Sequence, residues 1–313
     1  DSEKYQDTRL LLKGISDSNW TYNEPTDDYY FHRFYDIQPD LNYKNPDVLI
    51  DMIRNLTYWK QVGVDGFRMD AAPFLWKREG TDCENLPETH QILKLYRAAF
   101  DYIAEGTVII AEANQEPVDV SNYFGDGDEC HVAYNFPVMP RFFLALAEND
   151  PTYLTEELAG MAALEVPEDA QWFTFLRVHD ELTLEFVGPD ERRLLNEHYR
   201  KDDRWTFRDG EGISGRLYNL LDEDPERVLL AYSMLFAVDG TPIIYYGDEI
   251  GMENDLDYFQ KMNAELGYDD SRYLHRGPFD EDRKVEALND ETAPSHRIWT
   301  GLREMIDTRT HRQ

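Results

Sequence analysis

The chain has 313 residues, of which 42% are hydrophobic, and a formal net charge of -32 from 63 acidic and 31 basic residues. Because nucleic-acid binding needs a basic face, this charge excludes nucleic acid as an expected partner. The longest apolar run covers residues 228–238, which is shorter than the roughly 20 residues that span a bilayer, so no membrane partner is expected either.

The acidic excess also bears on the environment of the protein. Nine of the 31 basic residues are lysine, and this scarcity together with the charge favours adaptation to high salt, where screening removes self-repulsion. An ordinary acidic cytosolic enzyme is the alternative. Two cysteines, Cys83 and Cys130, are too few for a disulfide framework, so we expect reduced thiols and a cytoplasmic location in an organism adapted to high salt.

Residues 1–45 are polar and aromatic with little periodicity, which predicts a loop-rich region with short strands. Strands and helices alternate after it. Strands are predicted at residues 64–69, 107–111, 131–136, 172–178 and 242–246. Helices are predicted at residues 47–61, 88–105, 138–148, 151–164, 189–199, 225–237, 256–266 and 293–308, with a shorter helical stretch near residues 115–123. The other residues after Gly251 are predicted to form a long loop.

This alternation predicts an α/β fold with a parallel sheet, which is either a barrel or a doubly wound sheet. No Gly-x-Gly-x-x-Gly motif follows a predicted strand, so a dinucleotide cofactor is not expected. In a parallel barrel the carboxyl ends of all strands lie on one face, where active sites form. Polar residues at the strand ends are therefore the candidates for function.

The first predicted strand ends in Arg68 and Asp70. Alternate residues of a strand point the same way, so both side chains face one side, and the arginine favours an ionised carboxylate. An ionised carboxylate at a strand end suits a nucleophile. The alternative is that Asp70 caps a following helix, because Asp-Ala-Ala-Pro at residues 70–73 is a plausible helix start.

Two further strands also end in acidic residues. Glu112 follows an apolar run, where desolvation would raise the pKa of a glutamate and suit it to a general acid, and the alternative is a buried glutamate paired with an arginine. His179 and Asp180 follow the fourth strand, and the alternative is a helix-capping aspartate beside a loop histidine. Three carboxylates on one face meet the needs of glycoside hydrolysis, namely a nucleophile, an acid/base and a stabiliser of an oxocarbenium-like state.

Four motifs of the chain resemble motifs of the α-amylase superfamily, glycoside hydrolase family 13, and occur in the family's order. They are Gln38-Pro39-Asp40-Leu41-Asn42, Gly66-Phe67-Arg68-Met69-Asp70, Ala111-Glu112-Ala113-Asn114 and Val178-His179-Asp180. The resemblance implies a TIM-barrel catalytic domain in which Asp70 is the nucleophile, Glu112 the acid/base and Asp180 the stabiliser of the transition state.

The resemblance also assigns supporting residues. Arg68 and His179 would contact the sugar or the nucleophile, and Asp40 is a candidate calcium ligand. Calcium is therefore a candidate cofactor, and no organic cofactor is implied.

Within this family, residues 78–90, 127–141 and 179–185 look like trehalose synthases. This implies interconversion of maltose and trehalose through a covalent glucosyl-enzyme on Asp70, with small α-glucosides (maltose, trehalose and maltooligosaccharides) as partners. Residues 269–276, Asp-Asp-Ser-Arg-Tyr-Leu-His-Arg, look more like amylases and amylosucrases. Hydrolysis of α-glucans or maltooligosaccharides by an α-amylase or α-glucosidase is therefore an alternative, and an inactive carbohydrate-binding homologue or fragment is another.

The family's first three barrel strands and its C-terminal β-sandwich have no counterpart in the chain. Residues 1–45 are therefore expected to be part of a loop-rich domain inserted after barrel strand three. Residues 46–313 are expected to form a partial TIM barrel, containing strands four to eight, of a catalytic domain truncated at both ends. The first and last of these strands should each lack one neighbour.

Overall fold

The computed structural model describes residues 4–12 and 15–312, which are divided between two compact units. The first unit contains the residues up to 134 together with residues 164–172. The second contains residues 135–163 and the residues from 173 onwards. The domain boundary expected at residue 45 stays a prediction.

In the first unit, an antiparallel pair of strands precedes three parallel strands that alternate with helices. The antiparallel strands are β1 (Trp20–Asn23) and β2 (Asp28–Phe31), and the parallel strands are β3 (Gly66–Met69), β4 (Val108–Ala111) and β5 (Val132–Tyr134). The helices are α1 (Pro46–Val62), α2 (Pro87–Ile103) and α3 (Pro117–Ser121). The short strands and the strand–helix alternation predicted for this part of the chain are confirmed.

Helix α1 shows how local sequence sets the boundaries of an element. The Asn45 side chain accepts a hydrogen bond from the Asp47 N–H at 3.0 Å, and Pro46 occupies the first turn, where no N–H partner is needed. Gly63 ends the helix with a φ of +113°, a conformation that a residue with a Cβ rarely adopts. The helix predicted at residues 47–61 is thereby confirmed.

Strands β3 and β4 pair in parallel, with Met69 opposite Ala111. The two backbones approach closely at Gly66, because a Cβ on this residue would lie 2.6 Å from the carbonyl oxygen of Val108. This register brings the residues that follow β3 and those that follow β4 to the same level.

The apolar core of the first unit lies between the parallel strands and helix α2. Leu93 and Tyr96 of α2 are fully buried, and Ile109 of β4 is 1% exposed within the same cluster. The rings of Phe67 and Phe100 lie 5.3 Å apart across this interface. Burying each of these large side chains contributes about 1.5–3 kcal/mol, which holds the strand ends in place.

The second unit contains helices around shorter strands. Its helices are α4 (Val138–Glu148), α5 (Thr152–Ala162), α6 (Pro189–Tyr199), α7 (Leu217–Leu220), α8 (Pro225–Ala237), α9 (Leu256–Leu266), α10 (Glu281–Asn289) and α11 (Pro294–Arg312). Its strands are β7 (Leu182–Thr183), β8 (Thr206–Phe207), β9 (Gly212–Ile213), β10 (Thr241–Ile243) and the last part of β6 (Gln171–Phe175).

Two kinds of strand pairing occur in the second unit. Strands β6 and β10 run parallel, with Phe175 opposite Ile243. Strands β7, β9 and β8 form a small antiparallel sheet in that order. The sequence did not predict the antiparallel sheet, because strands of two residues are too short to show an alternating pattern.

The long loop predicted after Gly251 is wrong for residues 281–289, which form α10. The Asp280 side chain caps this helix by accepting a hydrogen bond from the Arg283 N–H at 2.9 Å. Ala287 is its buried residue, so the segment lacks the broad apolar stripe by which the other helices were recognised.

Five strands run parallel to a neighbour and alternate with helices along the chain, so the α/β prediction is confirmed. Strand β3 pairs with β4, and β10 pairs with β6, and the described residues place no second strand beside either of them. The partial barrel and its strand numbering stay predictions. No described helix combines the length and the apolar character that crossing a membrane requires.

Candidate active site

The end of β3 presents Arg68 and Asp70 together, and Arg68 Nη1 lies 3.0 Å from Asp70 Oδ1. The Asp70 side chain is 74% exposed, so its carboxylate faces solvent. The short 3-10 helix that follows, Ala72–Phe74, begins after Ala71, and no side chain caps its start. The alternative role of Asp70 as a helix cap is therefore wrong.

The turn after Asp70 is held in a strained conformation. Ala71 has a φ of +52°, which costs an L-residue with a Cβ about 1–2 kcal/mol. Two backbone hydrogen bonds of 3.1 Å hold the turn, one from the Ala72 N–H to the Glu112 carbonyl and one from the Glu112 N–H to the Met69 carbonyl. These bonds extend the β3–β4 pairing past the strand ends, so Asp70 and Glu112 are fixed relative to each other.

Glu112 lies beside Asp70 on the neighbouring strand end. Because Met69 and Ala111 are register partners, the next residues, Asp70 and Glu112, lie at the same level on strands roughly 4.8 Å apart. Glu112 is 12% exposed, and its carboxylate pairs with Arg68 Nη2. Glu112 is thus a largely buried glutamate paired with an arginine, and its acid/base role stays a prediction.

Arg68 joins the two carboxylates, with Nη1 on Asp70 and Nη2 on Glu112. Burial alone would lower the pKa of Arg68, but the negative charges of Glu112 and Asp70 raise it above its ordinary value. The guanidinium also lies 5.9 Å from the centre of the Tyr134 ring. Because the two Nη nitrogens share one carbon atom, this one guanidinium bridges the two carboxylates.

A buried ion network anchors the segment at residues 78–90, which resembles trehalose synthases. Glu84 accepts hydrogen bonds from Arg33 at 2.6 Å and from Arg9 at 2.8 Å. Arg33 is 1% exposed, and burial lowers the pKa of its guanidinium despite the attraction of Glu84. Gln115 donates to Glu84 at 3.3 Å, so the loop that follows β4 is tied to this segment.

In the second unit, Asp180 follows β6 and is surrounded by cations. Its Oδ1 accepts hydrogen bonds from Arg272 Nη1 at 3.1 Å and from Arg276 Nη2 at 3.0 Å. Its Oδ2 lies 3.4 Å from His179 Nε2. Strand β7 begins two residues later, so the alternative role of Asp180 as a helix cap is wrong.

Two buried residues, Arg177 and His275, form hydrogen bonds with the backbone carbonyls of Asp180 and His179. Arg177, which is 1% exposed, donates to the Asp180 carbonyl at 3.0 Å. His275 accepts from the Gly215 N–H at Nδ1, so its proton lies on Nε2, which is 3.1 Å from the His179 carbonyl. Burial, together with the positive charge of Arg177, lowers the pKa of His275 well below its ordinary value, so this imidazole is neutral.

Asp40, the candidate calcium ligand, is paired with a cation of the chain itself. Its Oδ2 binds the ammonium of Lys77, and its Oδ1 accepts from the Arg33 N–H at 3.0 Å. Lys77 also donates to the Phe74 carbonyl at 2.6 Å, and burial lowers the pKa of this ammonium although Asp40 opposes the shift. An ammonium already lies among these oxygen atoms, so they do not fit a calcium ion. Calcium stays a prediction drawn from the resemblance alone.

The structure therefore brings the predicted site residues together in two groups, one per unit: Arg68, Asp70 and Glu112, and His179 and Asp180. Sequence reasoning missed Arg272 and Arg276, which lie in the segment noted for its difference from trehalose synthases. No local pattern marks them as partners of Asp180, because 92 and 96 residues separate them from it.

Comparison with known proteins identifies related sequences. The profile of the family described as Alpha amylase, catalytic domain, matches residues 10–291. Trehalose synthase/amylase of Mycolicibacterium smegmatis is 47% identical over 255 residues, which cover 80% of this chain and 42% of that protein. Trehalose synthase of Thermus thermophilus is 47% identical over 251 residues, covering 80% of this chain and 26% of that protein. Glucosylglycerate phosphorylase of Escherichia coli is 33% identical over 298 residues, covering 88% of this chain and 52% of that protein.

Solved structures share the fold at lower sequence identity. Sucrose 6F-phosphate phosphorylase from Thermoanaerobacter thermosaccharolyticum superposes with a TM-score of 0.78 at 17% identity, over 98% of this chain and 62% of that chain. The α-amylase from H.orenii superposes with a TM-score of 0.61 at 22% identity, over 82% of this chain and 43% of that chain. At these identities the likeness concerns the fold alone.

Proposed function

The chain belongs to the α-amylase family, whose catalytic-domain profile matches residues 10–291, and from this membership we propose that it transfers glucosyl groups between α-glucosides with retention of configuration. The reaction we propose is most like the interconversion of maltose and trehalose. Two trehalose synthase relatives at 47% identity support this substrate class. The chain spans less than half of the length of these two relatives, so the activity is proposed for the whole protein.

The pairing of Asp70 and Glu112 with one guanidinium is the observation that carries the proposal. Retaining glycosidases place their two carboxyl groups about 5–5.5 Å apart, whereas inverting ones need about 6.5–9.5 Å to admit a water molecule. Asp70 and Glu112 lie at the same level on neighbouring strands about 4.8 Å apart and are bridged by Arg68, which agrees with the shorter separation. The geometry therefore supports a covalent intermediate rather than a direct attack by water.

We assign the two roles from exposure and from the family resemblance. Asp70 is the more exposed carboxylate, with 74% of its side chain exposed, which suits a nucleophile that must reach a sugar carbon. Glu112 is 12% exposed and lies beside Asp70 on the neighbouring strand end, and the family resemblance gives it the acid/base role.

The reaction then proceeds in two balanced steps. Asp70 attacks the anomeric carbon while Glu112 gives its proton to the glycosidic oxygen, so that one carbon–oxygen bond forms and one breaks. The leaving sugar carries away the proton. In the second step the Glu112 carboxylate removes a proton from an acceptor hydroxyl, which attacks the anomeric carbon and releases Asp70. A glucose acceptor gives a disaccharide, and a water acceptor gives hydrolysis.

The remaining roles rest on the family resemblance. We propose that Asp180 stabilises the positive charge that develops on the sugar, and that His179 contacts the same sugar. Arg272 and Arg276 both pair with the Asp180 carboxylate, and a carboxylate held in place by two arginines suits this role.

Phosphorolysis is a second candidate, because the Escherichia coli glucosylglycerate phosphorylase matches a larger share of this chain than the trehalose synthases do. In that reaction inorganic phosphate, rather than a sugar hydroxyl, would attack the glucosyl-enzyme. Hydrolysis by an α-amylase or α-glucosidase is the further alternative, and an inactive homologue is the alternative of another class.

Product analysis of the purified protein separates these candidates. Incubation with maltose should yield trehalose with little glucose, and Asp70→Asn should yield neither. Glucose as the main product would indicate hydrolysis, and formation of glucose 1-phosphate upon addition of inorganic phosphate would indicate phosphorolysis. Absence of all three products, also with trehalose and maltooligosaccharides as substrates, would contradict the proposed function.

We also propose that the protein is adapted to high salt and works in the cytoplasm. The net charge of -32 and the small number of lysines support the salt adaptation, and the presence of only two cysteines supports the cytoplasmic location.

A further inference from the structure

Arg272 reaches Asp180 from a segment to which the family resemblance assigns no role. It lies in a short 3-10 helix, Ser271–Leu274, that begins after Asp270. The Asp270 side chain caps this helix by accepting a hydrogen bond from the Arg272 N–H at 3.0 Å. Arg272 Nη1 then lies 3.1 Å from Asp180 Oδ1.

The guanidinium of Arg272 is fixed by contacts other than the one to Asp180. Its Nε donates to Asp270 Oδ1 at 2.9 Å and its Nη2 donates to Asp270 Oδ2 at 2.8 Å, which is a bidentate pair. Its central carbon lies 4.4 Å from the centre of the Phe207 ring. Asp270 is 1% exposed, so the partner that holds the guanidinium is itself immobilised by packing.

In this arrangement Nη1 of Arg272 lies near two neighbouring carboxylates. Besides Asp180, Oε2 of Glu181 lies 4.0 Å from Arg272 Nη1. The other carboxylate oxygen of Glu181, Oε1, lies 3.0 Å from Arg208 Nη2. Burial raises the pKa of Glu181, although Arg208 and Arg272 oppose the shift. The arginine is thus anchored by one buried aspartate and presented to Asp180 at a fixed position.

The contacts also orient the Asp180 carboxylate. Oδ1 receives hydrogen bonds from both Arg272 and Arg276, whereas Oδ2 lies on the side of His179. Two donors on the same oxygen hold that oxygen in place. Rotation about the side-chain bond of Asp180 would break both of these bonds.

We propose that Arg272 is a positioning residue for Asp180, which it holds, through its bidentate pair with Asp270, in the orientation that glucosyl transfer requires. This proposal rests on the proposed function, because it gives Arg272 a task in that reaction. A misplacement of about 1 Å in a catalytic group can cost roughly 100-fold in rate, so losing Arg272 should lower kcat by about that factor.

The chain contains a matched internal control for this pairing. Asp202 starts another short 3-10 helix, Asp203–Trp205, and accepts hydrogen bonds from the Arg204 N–H and from Arg204 Nε, both at 2.9 Å. Arg204 therefore repeats the local Asp-x-Arg geometry of residues 270–272. Its side chain is 47% exposed, and Asp202 is its ion-pair partner.

The test compares Arg272→Ala with Arg204→Ala in the purified protein, with α-glucoside turnover as the readout. We expect Arg272→Ala to lower kcat about 100-fold with KM changed less than threefold, and Arg204→Ala to keep the wild-type kcat. Guanidinium chloride at millimolar concentration should partly restore the turnover of Arg272→Ala, whereas sodium chloride at the same ionic strength should not. Rescue by the missing group would show a local positioning role, because a general loss of folding does not respond to it.

Arg272→Gln provides the same test if the alanine variant fails to fold, since glutamine keeps much of the volume and donates to Asp270. A folded Arg272→Gln or Arg272→Ala with kcat within threefold of wild type would overturn the proposal. So would an equal loss of kcat in Arg204→Ala. Asp180→Asn separates a failure of the inference from a failure of the proposed function. If wild type is active, Asp180→Asn is inactive and the Arg272 variants are unaffected, the inference alone is overturned. If wild type is inactive, the proposed function and the inference are overturned together.

Discussion

Asp70 and Glu112 are paired with the two Nη nitrogens of one side chain, Arg68, at the matched ends of two adjacent parallel strands. The register of β3 and β4 sets their level, and the backbone bonds beyond the strands keep it. Their exposures nevertheless differ, at 74% for Asp70 and 12% for Glu112. The two neighbouring carboxylates therefore lie in different environments. Such a difference allows two carboxyl groups of one site to have different roles.

We expect Glu112→Gln to lose most turnover of maltose but to keep glucosylation by substrates with a good leaving group. The glutamine removes the proton donor, and a good leaving group needs no proton in the first step. Pre-steady-state release of the leaving group from an aryl or fluoride glucoside measures this step. Glu105→Gln is the matched control, because Glu105 is exposed and precedes β4, and it should behave as wild type. An equal loss on both classes of substrate would contradict the acid role.

Much of this site could be predicted from the sequence, because each carboxylate lies at or shortly after the end of a predicted strand. Asp70 and Glu112 directly follow β3 and β4, as that pattern predicts, whereas β6 ends at Phe175, before the predicted residue 178, so that Asp180 lies in the loop after it. The arginines that pair with Asp180 could not be predicted in the same way. Arg272 lies 92 residues from Asp180, and its place depends on the fold of the intervening chain.

The helices and strands likewise differ in whether local sequence or a distant partner determines them. Helix α8 begins where predicted because Asp224 caps it and Pro225 opens it, and α9 ends where predicted because Gly267 adopts a φ of +78°. Strands β7, β8 and β9 have two residues each and are defined by their partners rather than by their own sequence. Local patterns therefore predicted most of the longer elements and missed these two-residue strands.

We expect Asp248→Asn to reduce the dependence of stability on pH. Asp248 is 2% exposed and accepts a hydrogen bond from the Tyr232 hydroxyl at 2.9 Å. Burial raises the pKa of Asp248 to about 7 from an ordinary value of 3.8, although Arg216, Tyr232 and Arg177 oppose the shift. The folded chain therefore keeps this proton between about pH 4 and 7, whereas the unfolded chain loses it.

The sign follows from this difference in proton binding. As pH rises from about 4 to 7, the free energy of unfolding of wild type falls by up to about 1.4 kcal/mol per pH unit because of Asp248. Below and above this range the contribution of Asp248 to the free energy of unfolding is constant. An asparagine side chain carries no charge at any pH in this range, so the free energy of unfolding of Asp248→Asn should change less between pH 5 and 8 than that of wild type. Denaturant unfolding at pH 5 and 8 measures this, with Asp239→Asn, at an exposed aspartate, as the control. Equal pH dependence in wild type and Asp248→Asn would contradict the expectation.

We expect the melting temperature of the protein to rise with salt up to molar concentration. A net charge of -32 destabilises the compact state by self-repulsion, and salt shortens the Debye length from about 10 Å at 0.1 M to about 3 Å at 1 M. Thermal unfolding in a potassium chloride series measures the effect, with an equal osmolality of sucrose as the uncharged control. A melting temperature that stays flat or falls between low and molar salt would count against salt adaptation.

The central claim is that Asp70 forms a covalent bond to glucose. The most direct test treats the protein with a fluorinated α-glucosyl fluoride, which forms the intermediate faster than it releases it, and then measures the intact mass and maps the labelled peptide. The account predicts one added fluoroglucosyl group on Asp70 and none in Asp70→Asn. Labelling of another residue, or product released with inverted configuration and no label, would contradict it.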